Sequence, residues 1–100
     1  MKTQICGYEW YIHLCDPKEI EGADGKTYAG SFEIKIASGL NPVLEKIVLV
    51  HEVSHAILGC SALWYQKQFD DEFVCEFTAY HLDEINRIVA EWQEERKNDE

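Results

Sequence analysis

The chain has 100 residues and a formal net charge of −10, from 19 acidic and 9 basic side chains. This length allows one domain with a modest core, and a hydrophobic content of 46% is typical of a globular chain. An anionic chain repels phosphate backbones and acidic lipid head groups, so we expect no nucleic acid or membrane partner. The sequence begins without an apolar stretch of the signal-peptide type, and we expect a cytoplasmic protein.

The four cysteines show none of the paired spacings of zinc ribbons, zinc fingers or redox motifs. They are Cys6, Cys15, Cys60 and Cys75. In a cytoplasmic chain we therefore expect free and mostly buried thiols.

The first predicted strand covers residues 8–15, where apolar side chains recur with the two-residue period of a β-strand. Its apolar face consists of Trp10, Ile12 and Leu14. His13 falls on the opposite face, so we expect a half-exposed histidine without a ligand role.

A second strand is predicted over residues 32–37, where apolar and charged side chains alternate. The inward positions are Phe32, Ile34 and Ile36. Before it, Asp24 and Gly25 indicate a turn, and residues 26–29 form a short extended piece. We expect these two segments to form an antiparallel hairpin.

Helix signals follow at Asn41 and Pro42, which suit the cap and the first helical position. We expect a helix over residues 42–58 that ends at Gly59.

A second long helix is predicted to begin at Asp70 or Asp71, with acidic side chains at the positive end of its dipole. Its apolar stripe consists of Phe73, Val74, Phe77, His81, Ile85, Ile88 and Trp92. From about residue 94 the chain becomes charged, and we expect a frayed, solvated acidic tail. These elements predict a single α+β domain. In it, a small antiparallel sheet of two to three strands packs on a buried helix and a long C-terminal helix.

The pattern His51-Glu52-x-x-His55 lies in the first helix. Residues four apart share one side of a helix, so both imidazoles can bind one metal ion. Glu52 can reach a water on that metal without being a ligand. The flanking residues are apolar around nearly the whole helix, which predicts a buried element. Burying these polar groups without partners would cost free energy, and a bound zinc ion removes that conflict.

Two histidines leave a catalytic zinc ion one protein ligand short. A histidine six residues after His55 would indicate one class of protease, but that position is Ser61. The remaining candidates are Glu72 and Glu76, one turn apart on the second helix. We predict Glu72 as the metal ligand and Glu76 as the acid that braces a ligand histidine. The reverse assignment, a role for Asp71, and a merely solvated acidic edge stay open.

The histidine motif, followed by Glu72-x-x-x-Glu76 on a later helix, resembles the gluzincin metallopeptidases. Among these it is similar to very small phage- and prophage-associated proteins, neighbours of the ImmA/IrrE type. The likeness covers most of the chain, although only the histidine motif is specific. It implies a minimal zincin-like fold, a Zn²⁺ cofactor, and a protein or peptide substrate such as a repressor.

The resemblance implies hydrolysis of a peptide bond by a zinc-activated water, with Glu52 as general base. In such proteins the strand at residues 32–37 would form the rim of the cleft and hold an extended peptide. Candidates for stabilising the developing oxyanion are Tyr80, His81 and, more remotely, Tyr65.

A different function stays open on the same residues. The chain is short for an enzyme with substrate pockets, so it also suits a non-catalytic adaptor with a zinc-stabilised core. Such an adaptor would bind a repressor or host protein through its acidic surface. A purely structural metal site is the weaker alternative, because it would leave Glu52 without a role.

Overall fold

The structure, a computed structural model, describes residues 1–61, 64 and 68–98. Its four strands are β1 (Lys2–Ile5), β2 (Tyr8–Cys15), β3 (Gly25–Tyr28) and β4 (Glu33–Ala37). Its two long helices are α1 (Pro42–Cys60) and α2 (Asp71–Asn98). Short 3-10 turns at Pro17–Ile20 and Ala29–Ser31 lie on either side of β3. The α+β class and the long C-terminal helix are therefore confirmed. Within the described part of the chain, no helix has the length and apolar character needed to cross a membrane.

The four strands form one mixed sheet in the order β1-β2-β4-β3. β2 and β4 are parallel, whereas the two outer pairs are antiparallel. The predicted sheet of two to three antiparallel strands was wrong in the number of strands and in the direction of the β2–β4 pair, whereas the predicted antiparallel hairpin is confirmed as β3 and β4. β1 has only four residues and no clear apolar alternation of its own. The segment between β2 and β4 carries the chain back across the sheet, which makes these two strands parallel.

The core lies between one face of this sheet and the two helices. Its centre contains four strand residues that are fully buried, Trp10, Ile12, Ile34 and Ile36. From the helices, Leu49, Val53, Ala56, Ile57 and Ile88 are also fully buried. The inward side chains of β2 and β4, two residues apart, thus pack in one cluster with the inward side chains of α1 and α2, which are three or four residues apart.

Phe32 departs from the predicted inward position. It follows the 3-10 turn with a positive φ of 54°, so its side chain is not in register with the strand. The ring is 36% exposed and lies on Tyr8, with a centroid distance of 5.5 Å. The strand alternation therefore begins one residue later than the sequence predicts.

The start of α1 agrees with the sequence. The Asn41 side chain accepts a hydrogen bond from the Leu44 amide at 2.9 Å, and Pro42 takes the first helical position. The helix passes the predicted end at Gly59 and stops at Cys60. α2 begins at Asp71, one of the two predicted starts, and the Asp70 carboxylate caps it by accepting from the Phe73 amide at 2.9 Å.

Replacing Asn41 by alanine should lower the free energy of unfolding by about 1 kcal/mol, because it removes the acceptor for an orphan amide. Urea denaturation of the variant measures the loss. Asn41→Asp is the matched control, since aspartate caps equally well. Equal losses in both variants would contradict the capping role.

α2 packs antiparallel to α1 and ties the C-terminal part of the chain to it. The Glu45 carboxylate near the start of α1 accepts from Trp92 Nε1 at 3.0 Å and from Arg96 Nε at 3.3 Å. The expectation of a frayed tail from about residue 94 was therefore wrong, because α2 continues to Asn98. The predicted solvation holds, since Glu94 and Glu95 are exposed.

All four cysteines are free, as predicted, although only Cys15 is buried and Cys75 is exposed. Cys6 is half-buried in the turn between β1 and β2, where its amide donates to Glu84 at 3.0 Å. Burial, reinforced by the Glu84 carboxylate and by Cys60, raises the pKa of the Cys6 thiol to about 11. Burial also raises the pKa of the Cys60 thiol.

At pH 8 we expect iodoacetamide to modify Cys75 well before Cys6, because the thiolate is the reactive species and Cys6 stays protonated. Mass spectrometry of partly alkylated protein measures the order.

The raised pKa of Cys6 also makes the unfolding free energy depend on pH. The neutral Cys6 thiol contributes its full stabilisation at pH values below the unfolded pKa of about 8.5. It is lost as the pH rises towards the folded pKa. Cys6→Ala should therefore show a smaller alkaline decline in unfolding free energy than the native chain, and an identical decline would contradict the assignment.

Candidate metal centre

His51 and His55 lie on successive turns of α1 and their rings converge. The two Nε2 atoms are 3.2 Å apart, and the ring centroids are 4.8 Å apart. Two imidazole nitrogens bound to one tetrahedral zinc ion, each about 2.0–2.1 Å from it, lie about 3.3 Å apart. The spacing of the pair thus matches a shared ion as well as a direct hydrogen bond between the rings.

The predicted burial of α1 on all sides was wrong. The His51 side chain is 65% exposed, and His55 is also exposed. The sheet and α2 together cover only one side of α1, so an apolar surface remains uncovered, with Val43 71% exposed and Ile47 59% exposed. The imidazoles therefore need no metal to relieve burial. The argument for a metal ion is therefore the close approach of the two Nε2 atoms, and not the free-energy cost of burying the imidazoles.

Glu52 is the buried member of the motif, 6% exposed. The Thr27 hydroxyl lies 2.8 Å from its Oε1 and 3.0 Å from its backbone carbonyl, so Thr27 donates to this one residue. The other carboxylate oxygen, Oε2, lies 3.9 Å from His51 Nε2. Glu52 thus has one carboxylate oxygen, Oε1, held by Thr27 of β3. Its other oxygen, Oε2, is directed towards the histidines but is too far away to accept a hydrogen bond from them.

β3 reaches this position because residue 25 has no side chain. A Cβ atom on Gly25 would lie 2.7 Å from Val48 Cγ1 and 2.9 Å from Glu52 Cγ. Real Cβ atoms do not approach other heavy atoms so closely, so only glycine allows β3 to pack on α1 here. This close approach brings the Thr27 hydroxyl within reach of Glu52.

The motif residues line an open recess of about 460 Å³ together with β3 and the turn after it. Its lining consists of Gly25, Lys26, Thr27, Ala29, His51, Glu52 and His55. A second recess of about 480 Å³ lies between the start of α1 and the end of α2, and the motif residues do not line it. The two recesses are therefore similar in volume, and the histidines and Glu52 are what distinguish the first from the second.

The rim of the recess is β3 rather than the predicted strand at residues 32–37. That strand is β4, which pairs with β2 on one side and β3 on the other. Asp24 and Ala37 are a hydrogen-bonded pair of the β3–β4 ladder, and such pairs alternate along antiparallel strands. The backbone groups of Gly25 and Thr27 consequently point to the free edge beside the histidines.

Glu72, the predicted third ligand, does not line the recess of the histidines. It lines a separate recess of about 170 Å³ with Glu76 at the start of α2. The lining of the histidine recess includes neither acid. No three histidine, cysteine or acidic side chains among the described residues come together to hold a metal.

The other sequence candidates also lie away from the recess. Tyr80 is 70% exposed. His81 accepts a hydrogen bond from Trp64 Nε1 at 3.0 Å and does not line the recess. His13 lies on β2 beside Glu33 at 3.6 Å and is half-exposed, as predicted. Tyr65 lies outside the described residues.

Comparison with known proteins adds no family to this description. No protein-family model matches the chain, and neither a curated protein nor a solved structure matches it.

Proposed function

We propose that this protein is a small zinc metallopeptidase of the zincin-like type, with His51 and His55 as metal ligands and Glu52 as general base. The observation that carries the proposal is the convergence of two exposed imidazole nitrogens, 3.2 Å apart, next to a buried carboxylate. The resemblance to ImmA/IrrE-type gluzincins agrees with this chemistry, and so does the edge strand beside the site.

The residues present fit part of a zinc site. Neutral imidazole nitrogen is a common zinc ligand, and the exposed position leaves room for further ligands and a water. A catalytic site also needs a third protein ligand. Glu72 stays our predicted candidate from the same chain, and it would require the first turn of α2 to approach the histidines.

When bound, zinc would activate a water and polarise the carbonyl of the substrate. Glu52 Oε2 faces the histidines, where it would accept a proton from that water and pass it to the leaving amine, while the Thr27 hydroxyl keeps Oε1 in place. An extended peptide can pair with the outward backbone groups of Gly25 and Thr27, which hold it along the recess. The site therefore suits an unfolded or extended segment of a protein substrate.

The adaptor alternative gains support from one observation. The described residues bring only two metal-binding side chains into the recess besides Glu52. A protein that binds a repressor or host protein does not need a complete catalytic set. A zinc-binding chain without peptidase activity would support this alternative.

Zinc titration of metal-free protein by calorimetry is the direct test. We expect binding that His51→Ala or His55→Ala weakens at least about tenfold, since each removes a ligand. His13→Ala is the matched control, because this histidine lies on β2 away from the recess. Equal zinc affinity in all three variants would overturn the proposed site.

Peptidase activity is tested on an unfolded protein substrate with zinc present. We expect cleavage that a chelator stops and that His55→Ala lacks. Zinc binding without any cleavage would favour the adaptor function.

A further inference from the structure

The exposed face of α1 has an unusual composition for this protein. Val43, Ile47, His51 and His55 follow one another at intervals of four residues, and all four are exposed. Such a row forms a continuous ridge on a helix, and ridges of this spacing interdigitate in the commonest class of helix packing. The apolar half of the ridge is large, because Val43 is 71% exposed and Ile47 is 59% exposed.

This face also lacks the acidic character of the chain. All of α1 is described, and Lys46 is the only charged side chain at its fully exposed positions. Glu45 is turned towards Trp92 and Arg96, and Glu52 is buried. Two molecules with a formal charge of −10 repel each other through most of their surfaces. The ridge of α1 offers a face where they can meet without opposing carboxylates.

The histidine pair supplies half of a closed zinc site. Zinc in closed sites takes four nitrogen or sulfur ligands, and each chain offers two imidazoles at the ridge. Apart from Glu52, whose Oε2 lies 3.9 Å from His51 Nε2, no histidine, cysteine or acidic side chain joins them within residues 1–61, 64 and 68–98. The undescribed residues between the helices contain none of these types in the sequence either. A second copy supplies the missing two ligands by symmetry.

We propose that two copies of this chain pack through the α1 ridge and share one zinc ion between their four histidines. The inference rests on the proposed zinc binding and describes a resting form of the same site. The interface is isologous, with each ridge facing its own copy, as in most homodimers. Ile47 and Val43 bury apolar surface beside the ion. Four protein ligands leave no position for a catalytic water, so separation of the copies opens the recess to substrate.

Sedimentation velocity of the full chain, with zinc titrated into metal-free protein, tests the proposal. We expect a monomer without metal and a doubling of molar mass with zinc, complete at about half an ion per chain. A chelator should reverse the change. His55→Ala should stay monomeric at every zinc concentration.

Two matched substitutions separate the interface from the metal site. Ile47→Lys should prevent dimerisation yet still bind zinc, because it adds a charge to the ridge and leaves both histidines. Val74→Lys is the control, since Val74 is equally exposed, at 60%, but lies on α2. It should dimerise like the native chain.

The outcomes distinguish the two proposals. Binding of one zinc ion per chain without a change in molar mass overturns the dimer and leaves the peptidase proposal standing. Absence of zinc binding overturns both. A dimer that forms without zinc and persists in His55→Ala overturns the shared ion. Dimerisation of Ile47→Lys to the same extent as Val74→Lys overturns the α1 ridge as the interface.

Discussion

Replacing Glu52 by glutamine is expected to lower peptide hydrolysis by about 10²–10⁴-fold, because the amide cannot take a proton from water. The substitution keeps the size of the side chain and the oxygen that accepts from Thr27. We therefore expect the fold and the zinc affinity to change little. The rate of cleavage of an unfolded protein at saturating zinc measures the effect, and calorimetry measures the zinc affinity of the same sample.

Glu94→Gln is the control for this experiment. Its side chain is 72% exposed and lies near Lys97 at the far end of α2. The same change in charge there should leave cleavage unaltered. If the Glu52 variant cleaved as fast as the native chain, the general-base role would be wrong and any activity would have another source.

Replacing Trp10 by alanine should lower the free energy of unfolding by about 3–5 kcal/mol, because it leaves a large cavity in the core. The ring is fully buried between the sheet and the helices, and Phe32 packs edge-on against it with centroids 5.4 Å apart. Domains of this kind are stable by only about 5–15 kcal/mol, so the variant should be near its unfolding limit. Urea denaturation followed by circular dichroism measures the loss.

Trp10→Phe is the matched variant, because it retains an aromatic ring and removes the indole N–H. Trp10 Nε1 is buried and has no hydrogen-bond partner. Burial raises the pKa of the nearby Cys60 thiol and the indole N–H opposes this, but the contact lacks the geometry of a hydrogen bond. Losing this unpaired donor offsets part of the lost packing, so we expect a cost well below that of alanine. Equal costs would show that the ring volume is not what stabilises the core.

Local patterns were sufficient to predict several elements. The alternation of β2, the Asn41 cap, and the starts of both helices depend on residues within four positions of one another. Helix caps and helix starts can be predicted from neighbouring residues, because the hydrogen bonds that form them join residues close in the sequence. The convergence of His51 and His55 belongs to the same class, since one turn of helix is enough to produce it.

Features that depend on distant packing were not predictable in the same way. The parallel pairing of β2 with β4 follows from the path of the whole chain between them. The exposure of one side of α1 depends on how much surface the sheet and α2 can cover. The separation of Glu72 from the recess of the histidines depends on how the two long helices pack, which no local pattern specifies.

Thr27 was missed altogether, because a threonine in a short extended segment carries no catalytic signal in the sequence. Its role is apparent only when β3 lies on α1. Gly25 was interpreted as part of a turn, whereas it begins the strand that forms the rim of the recess. A glycine inside a strand is itself a signal of close backbone approach, and it was the one local clue to this contact.

The contact at Gly25 places a constraint on any attempt to redesign this protein. Val48, which a larger residue 25 would strike, belongs to the hydrophobic core, and Glu52 belongs to the recess. A substitution at residue 25 that alters the packing of the core would therefore also alter the recess. Position 25 thus couples the stability of the core to the shape of the recess.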